Sequence, residues 1–239
     1  KNNRYDFTIQ RDLILGTYKG QGAVQYDLYK KAKRYYRREK PYLPGMIVFP
    51  FPIEKRYIAY TPGQKKDIDI ACIFGNDQYP IMRSHCRELV ERFSNKYGFT
   101  CATSNTKGLF DRDQRSLSNS DKFHHVLARS KIGVSVGGGG GEDAPRFWEM
   151  RGTNMLILND IRDVYDPDSK EMDYKRIFEF KNLFDFEWLL EHRVKDLLKS
   201  GRVSEYHDLE EYNAILAKHS AEARVRGILN DFFGQAPKA

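Results

Sequence analysis

The sequence predicts an α/β fold in which helices flank a mostly parallel sheet. Between residues 65 and 160, short apolar strands alternate with amphipathic helices, the pattern of parallel strands joined by helical crossovers. Five successive glycines lie between one strand and the next helix, where open α/β sheets bind ligands at the carboxyl ends of their strands. The chain beyond residue 184 has helical periodicity. Together these observations indicate a Rossmann-like domain with a helical C-terminal segment.

The first 63 residues lack this alternation. Tyr5–Tyr18 should form a strand or a loop, and residues 21–40 a basic helix that ends before Pro41. Five of the nine prolines lie in residues 41–63, which predicts an extended connector and excludes a central strand or a long helix. We therefore expect an N-terminal segment and connector over residues 1–63, and the Rossmann-like domain with its C-terminal helices over residues 64–239.

The elements of the main domain follow from the apolar spacing. The predicted strands are Asp67–Phe74, Gly98–Thr103, Ile132–Val136 and Met155–Leu158. The predicted helices are Met82–Tyr97, Asp121–Arg129, Phe184–Ser200, Ser204–His219 and Glu222–Phe233. Residues 161–175 are polar and are expected to form a loop.

Composition narrows the class of protein. Hydrophobic residues make up 40% and charged residues 31% of the chain, as in soluble globular proteins, and no apolar run approaches the roughly 18 to 20 residues that cross a bilayer. The first residues do not resemble a signal peptide. Three cysteines without CxxC spacing predict neither a disulfide framework nor a zinc site, and reduced thiols favour a cytoplasmic location. The chain begins with Lys1, which fits either a segment of a longer polypeptide with further domains or a processed terminus.

A net charge of +7 could attract nucleic acid, a membrane surface or a nucleotide diphosphate. Residues 21–40 interleave tyrosines with seven lysines and arginines, a combination that can bind nucleic acid. A solvated helix face with tyrosines packed against a neighbour explains the same pattern. Charge alone does not choose between these partners.

The glycine run, Gly137–Gly141, can present backbone N–H groups to phosphate oxygens because it has no side chains. Ordering five glycines costs conformational entropy, which favours a binding role over a flexible surface loop, although both remain open. The run is not a P-loop, since no Gly-Lys-Ser/Thr follows it. It is not a dinucleotide-binding G-x-G-x-x-G motif either, because the third glycine is absent.

The residues after the glycine run suit a nucleotide. Pro145 fits the first turn of a helix whose positive dipole end would face the glycines. Arg146 can pair two phosphate oxygens through its planar guanidinium. Glu149, on the same helical face, can accept hydrogen bonds from two vicinal ribose hydroxyls. A simple surface ion pair between Arg146 and Glu149 is the alternative.

These residues resemble the nucleotide-sugar site in the C-terminal half of GT-B glycosyltransferases, especially the group-1-like, CgeB-related branch. The similar features are the strand, the glycine loop, the Pro-Arg-Phe-Trp-Glu sequence and Gly152 with its apolar strand. Further similarity lies in residues 67–75 with Arg83, in the strand Lys131–Val136, and in the His-Ser-x-x-x-Arg sequence of His219–Arg224. The resemblance covers about residues 45 to 233.

The resemblance implies a role for each matching residue. Glu149 would bind the ribose, and Arg146 and Arg83 the diphosphate. The backbone would lie close to the nucleotide-sugar donor at six residues: Gly75, Asn76, Gly138, Gly139, Gly140 and Gly141. Glu142 or Asp143 would contact the sugar as catalytic candidates, although Glu142 and Glu149 are separated by one residue fewer than in the family pattern. Asp12 is the candidate catalytic base, or else a structural acid in a turn.

The implied activity is sugar transfer from a nucleotide-diphosphate sugar, with a UDP-sugar favoured, to a hydroxyl of a glycan acceptor. The architecture also resembles a domain of multi-domain chlorella-virus glycosyltransferases, which implies UDP-L-rhamnose as a candidate donor and the host cytoplasm as location. No cofactor and no protein-built metal site is expected, although a divalent cation could bridge the diphosphate and Asp143. A nucleotide-sugar hydrolase and a non-catalytic nucleotide- or nucleic-acid-binding module are the alternatives.

Overall fold

The computed structural model describes residues 7–10, 34–37, 46–48, 51–74, 81–104, 121–137, 145–160 and 175–234. Near the N-terminus, β2 (Arg34–Arg37) pairs in parallel with both β1 (Phe7–Gln10) and β3 (Met46–Val48). The predicted helix over residues 21–40 is wrong at Arg34–Arg37. Two adjacent tyrosines favour a strand there, and pairing with two neighbours outweighs the local helical pattern.

A second, five-stranded sheet forms the centre of the main domain, and every pair of neighbouring strands is parallel. Its strands are β4 (Ile68–Cys72), β5 (Cys101–Thr103), β6 (Ser130–Ser135), β7 (Leu156–Asp160) and β8 (Ile177–Phe180). The order across the sheet is β5-β4-β6-β7-β8. This sheet and its helices confirm the predicted Rossmann-like α/β fold. The sequence did not predict β8.

Helices cover the sheet and form the C-terminal segment. They are α1 (Met82–Tyr97), α2 (Asp121–Arg129), α3 (Pro145–Arg151), α4 (Leu183–Leu189), α5 (Lys195–Ser200), α6 (Leu209–His219) and α7 (Ala221–Phe233). A π-helical turn joins α4 to α5, and short 3₁₀ helices lie at Lys55–Tyr57 and Arg202–Tyr206. None of the helices in the described ranges is both long and apolar enough to cross a membrane.

The two faces of the sheet carry separate apolar clusters because successive side chains of a strand point in opposite directions. Ile70 and Cys72 of β4 belong to the cluster beneath α1, α4 and α5, whereas Ala71 and Ile73 belong to the cluster beneath α2 and α3. Most strand positions are buried on both faces, as expected of a parallel sheet enclosed between helices. The helices are therefore fixed relative to the strand ends where a ligand would bind.

The proline-rich connector packs against the main domain over residues 51–63. Ile53 and Tyr57 are buried in the cluster beneath α2 and α3. Ile53 forms a parallel bridge with Ser220, and the Ala59 N–H bonds to the carbonyl oxygen of Gly152 at 3.3 Å. The described part of the connector therefore contributes to the core of the main domain. The domain boundary between residues 63 and 64 stays a prediction.

Replacing Gly152 by alanine should destabilise the fold. The added Cβ would lie 2.6 Å from the Tyr57 carbonyl oxygen and 2.7 Å from Ile53 Cγ2. Overpacking of this kind costs roughly 1 to 3 kcal/mol, so the urea midpoint of Gly152→Ala should fall. Gly227→Ala is the matched control, because a Cβ at Gly227 meets nothing within 4 Å and alanine favours the helix. A Gly152→Ala variant as stable as wild type would contradict the docking of the connector.

The junction between α6 and α7 packs against α3 through His219. This imidazole is fully buried, its ring centroid lies 4.8 Å from that of Trp148, and its Nδ1 contacts the Arg224 guanidinium. Burial, followed by the charges of Arg224 and Arg151, lowers the pKa of His219 from 6.5 to about 2. His219 is therefore neutral in the folded protein at physiological pH.

Acid should destabilise the protein through His219. The unfolded chain binds a proton below about pH 6.5 while the folded chain does not, so stability is lost as the pH falls from that value toward the folded pKa near 2. Between about pH 7 and pH 5 this linkage contributes on the order of 2 kcal/mol. Urea unfolding at both pH values measures it in wild type and in His219→Gln.

The His219→Gln variant should lose this part of the pH dependence. The matched control is His85→Gln, because His85 is exposed on α1, and this variant should retain the acid-induced loss. An unchanged pH dependence in His219→Gln would contradict the assignment.

Candidate functional site

The strand order places a topological switch point between β4 and β6. From β4 the chain continues to β5 on one side of the sheet, and then returns to β6 on the other side. Loops that leave the carboxyl ends of two such strands diverge and open a crevice, which is where open α/β sheets bind ligands. The glycine run follows β6 directly and therefore begins at this crevice.

Arg83 reaches from the first turn of α1 to the residue that follows β6. Its Nε and one terminal nitrogen donate to the carbonyl oxygen of Val136 at 3.1 and 3.0 Å, and its guanidinium lies 5.5 Å from the ring centroid of Phe74. Val136 immediately precedes the glycines. The resemblance assigned Arg83 to the diphosphate; in the structure its positive charge lies where the glycine run begins.

Asp160 fixes the first glycine. It ends β7 at the same edge of the sheet, is 5% exposed, and its Oδ1 accepts a hydrogen bond of 3.1 Å from the Gly137 N–H. Asp160 was not among the predicted site residues, although a carboxylate just after a predicted buried strand is a signal that the sequence contains. Its contact determines the direction in which the chain leaves β6.

Arg146 and Glu149 form an ion pair one helical turn apart on α3. The distance from an Arg146 terminal nitrogen to Glu149 Oε2 is 2.6 Å, and the two side chains are only 16% and 14% exposed. The Arg146 guanidinium also lies 3.6 Å from the ring centroid of Phe123, which α2 provides. The pair considered in the sequence analysis is therefore present, but it is largely shielded from solvent and held against an aromatic ring.

Tyr57 from the connector completes this group of side chains. Its side chain is 1% exposed, and its ring meets that of Phe123 edge-on at 6.2 Å. Burial, followed by the negative charge of Glu149, raises the pKa of Tyr57, so the phenol stays protonated. Nothing in the sequence pointed to Tyr57 or Phe123, because both contacts join distant parts of the chain.

The opposite, amino-terminal edge of the sheet is closed by its own polar contacts. The Lys66 ammonium donates to the carbonyl oxygens of Ala128, Ser130 and Thr153 at 2.9 to 3.3 Å. Burial, followed by the charge of Arg176, lowers the pKa of Lys66 to about 7. Arg176 itself pairs with Glu211 at 3.3 Å. Lys66 and Arg176 thus bind groups within the domain. The edge formed by the carboxyl ends of the strands is therefore the favoured place for a ligand.

Several residues assigned from the resemblance lie outside the described part of the chain. They are Asp12, Gly75, Asn76, Gly138, Gly139, Gly140, Gly141, Glu142 and Asp143. Their roles stay predictions. Within the described ranges, no group of three or more His, Cys, Asp or Glu side chains is arranged to hold a metal ion.

Comparison with known proteins identifies the fold but no sequence family. No protein-family model matches the chain, and no curated protein matches it in sequence. The described structure is similar to GT-B glycosyltransferases of known structure.

One match is the pneumococcal O-GlcNAc transferase GtfA in complex with UDP and GlcNAc, with a TM-score of 0.51 and 8% identity over 96% of this chain and 46% of that chain. Another is a mutant of TarM from S. aureus in complex with fondaparinux, α-GlcNAc-glycerol and UDP. Its TM-score is 0.52, with 11% identity over 86% of this chain and 52% of that chain. The chain thus spans about half the length of these structures, and its Rossmann-like domain has the fold found in glycosyltransferases.

Proposed function

We propose that this chain is the donor-binding part of a glycosyltransferase that transfers a sugar from a nucleotide-diphosphate sugar to a hydroxyl of a glycan acceptor. The observation that carries the proposal is the switch point of the parallel sheet, where β6 ends two residues before Gly137. The next helix in the chain is α3, whose first turns carry Arg146 and Glu149. Backbone N–H groups, a guanidinium and a carboxylate therefore occur in the order that diphosphate and ribose would require.

The nucleotide would lie across the crevice. The Glu149 carboxylate would accept hydrogen bonds from the two ribose hydroxyls, since Arg146 occupies only part of its acceptor capacity. Arg146 bonds Glu149 through one terminal nitrogen, and its other donors could reach a phosphate oxygen. Arg83 would add positive charge at the start of the glycine run.

In the reaction, the acceptor hydroxyl attacks the anomeric carbon of the donor sugar. The bond between that carbon and the diphosphate oxygen breaks, its electron pair stays on the diphosphate, and a base takes the hydroxyl proton. The glycine run and the arginines would stabilise the charge that develops on the leaving diphosphate. Asp12 stays the candidate base, and Glu142 and Asp143 stay candidates for contact with the sugar.

A UDP-sugar is the favoured donor. UDP is bound in the structures of GtfA and of TarM, which share the fold of this chain. At 8% and 11% identity these structures support the nucleotide class alone. The group-1-like resemblance and a deoxysugar donor such as UDP-L-rhamnose remain part of the proposal. Because the chain spans about half of these proteins, the acceptor is proposed to meet further protein domains as well as this one.

A non-catalytic nucleotide-binding module is the second candidate. The partial coverage favours it, because this chain corresponds to only 46% of the GtfA chain and 52% of the TarM chain. Measuring UDP release from a UDP-sugar, with and without a glycan acceptor, separates the possibilities. Acceptor-dependent release indicates transfer, release without acceptor indicates hydrolysis, and binding without release indicates the module.

UDP should raise the melting temperature of the wild-type protein. A ligand at 100 times its Kd stabilises the folded state by about 2.7 kcal/mol. Glu149→Gln keeps the shape of the side chain and removes its charge, so it should weaken UDP binding roughly 10- to 100-fold, as expected for a charged hydrogen-bonding partner. A thermal-shift titration with UDP, GDP and ADP measures both effects.

Glu222→Gln is the matched control. Glu222 forms a comparable ion pair with Arg226 at 2.9 Å, but on the exposed surface of α7, so UDP binding should be unchanged in this variant. No shift with any nucleotide would contradict the proposed function. Equal UDP affinity in wild type and Glu149→Gln would contradict the role of Glu149.

A further inference from the structure

Helix α4 and the π-helical turn after it carry aromatic rings on their solvent side. Phe184, Trp188 and His192 are spaced by four residues, which places them one above another on a single face, and together they form the aromatic stripe. Phe184 is 86% and Trp188 is 54% exposed, whereas the buried face of the same elements carries Phe186 and Leu190. Large rings exposed at neighbouring positions are typical of a binding surface.

Two rings of the aromatic stripe hold each other in place. The ring centroids of Trp188 and His192 lie 5.2 Å apart, and the ring planes are inclined by 31°. The rings are therefore offset and close to parallel, an arrangement that aromatic pairs favour. The indole thus keeps a fixed orientation before any ligand arrives.

The start of α4 is fixed at the carboxyl edge of the sheet. Strand β8 ends at Phe180, and the Asn182 side chain caps α4 by accepting a hydrogen bond of 2.9 Å from the Asp185 N–H. Asp185 in turn accepts one of 3.1 Å from the Lys181 N–H. Neighbouring strands lie about 4.8 Å apart, so the end of β8 lies two strands, or about 10 Å, from the end of β6. Phe184 therefore lies at the edge of the proposed donor site, within the span of a short oligosaccharide.

The groups of this surface suit a pyranose ring. One face of a pyranose carries C–H groups, whose partial positive charge is attracted by the negative face of an aromatic ring, while its edge carries hydroxyl groups. Asn182, Glu187 and His192 are exposed beside or within the aromatic stripe and can exchange hydrogen bonds with hydroxyls. The surface thus combines ring faces with polar groups, as a sugar does.

A protein partner or a lipid surface fits the aromatic stripe less well. Phe184 and Trp188 are the two large hydrophobic side chains that are exposed in the described stretch 183–200. At no more than about 250 Å² each, they offer less than the roughly 800 Å² that a stable protein interface buries on each partner. Glu187 precedes Trp188, and its negative charge is unfavourable at an anionic membrane. A neutral oligosaccharide is therefore the favoured occupant.

We propose that the aromatic stripe is a binding surface for the glycan acceptor, on which pyranose rings stack against Phe184 and Trp188. This inference rests on the proposed function, in which the acceptor is a glycan. It places the acceptor on α4 and the donor beside α3, so that the two substrates meet at the carboxyl edge of one sheet.

Tryptophan fluorescence tests the proposal directly, because the chain has two tryptophans and Trp148 is only 1% exposed. Quenching by acrylamide therefore reports mainly on Trp188. The probes are maltohexaose, chitohexaose and mannohexaose, and at least one should protect Trp188 from acrylamide and bind in isothermal titration calorimetry. Phe184→Ala and Trp188→Ala should each weaken that binding by roughly fivefold or more. Trp188→Phe should retain most of it, because a ring remains.

Phe233→Ala is the matched control. Phe233 is 76% exposed on α7, so this variant removes an exposed phenyl ring elsewhere and should bind the hexasaccharide as wild type does. UDP binding should be unchanged in every variant of the aromatic stripe, since the stripe is separate from the proposed donor site. Circular dichroism melting of each variant checks that the fold is retained.

The outcomes separate the inference from the function on which it rests. Wild type that binds UDP but none of the hexasaccharides would overturn the inference alone, and so would unchanged hexasaccharide affinity in Phe184→Ala and Trp188→Ala. Self-association, or binding to phosphatidylglycerol vesicles, that is lost in these variants without any hexasaccharide binding would assign the stripe to a second copy or to lipid and would also overturn it. Hexasaccharide binding at the stripe of a protein that binds no nucleotide would keep the glycan surface and overturn the proposed function.

Discussion

Parallel pairing between β4 and β6 is the constraint on which the site depends. It brings together two strands that are separated in sequence by α1, β5 and α2, and it directs their following loops to the same edge of the sheet. The direction of winding changes between these strands, and at such switch points open α/β sheets generally form the crevice that binds a ligand. The glycine run and α3 follow from β6, so the position of Arg146 and Glu149 is a consequence of this pairing.

The two edges of the sheet differ in how their polar groups are used. At the amino edge, Lys66 and Arg176 are bound by carbonyl oxygens and a carboxylate of the domain. At the carboxyl edge, Asp160 and Arg83 hold the chain on either side of the glycine run's first peptide, at Gly137 and Val136. The contacts at the amino edge stabilise the domain. The contacts at the carboxyl edge hold the two residues with which the chain leaves β6, next to the proposed ligand site.

Much of the fold could be predicted from local patterns. Helix α1 begins and ends at the residues that the apolar spacing predicted, Met82 and Tyr97, and the four strands predicted between residues 67 and 158 correspond to β4 to β7. Strand β8 escaped prediction because Ile177–Phe180 is short and follows a long polar stretch, so only its pairing with β7 identifies it. The helix predicted at Arg34–Arg37 failed for the same reason, since strand pairing is not local.

The site was predictable where it is continuous in sequence, as for Arg146 and Glu149, and not where it is assembled by tertiary contacts, as for Tyr57 and Phe123. A crystal structure of the protein with UDP is the most direct test of the proposed nucleotide site. The ribose hydroxyls should lie within hydrogen-bonding distance of the Glu149 carboxylate, and the diphosphate should lie beside the glycine run that follows Val136. UDP bound at another edge of the sheet, or with its ribose away from Glu149, would contradict it.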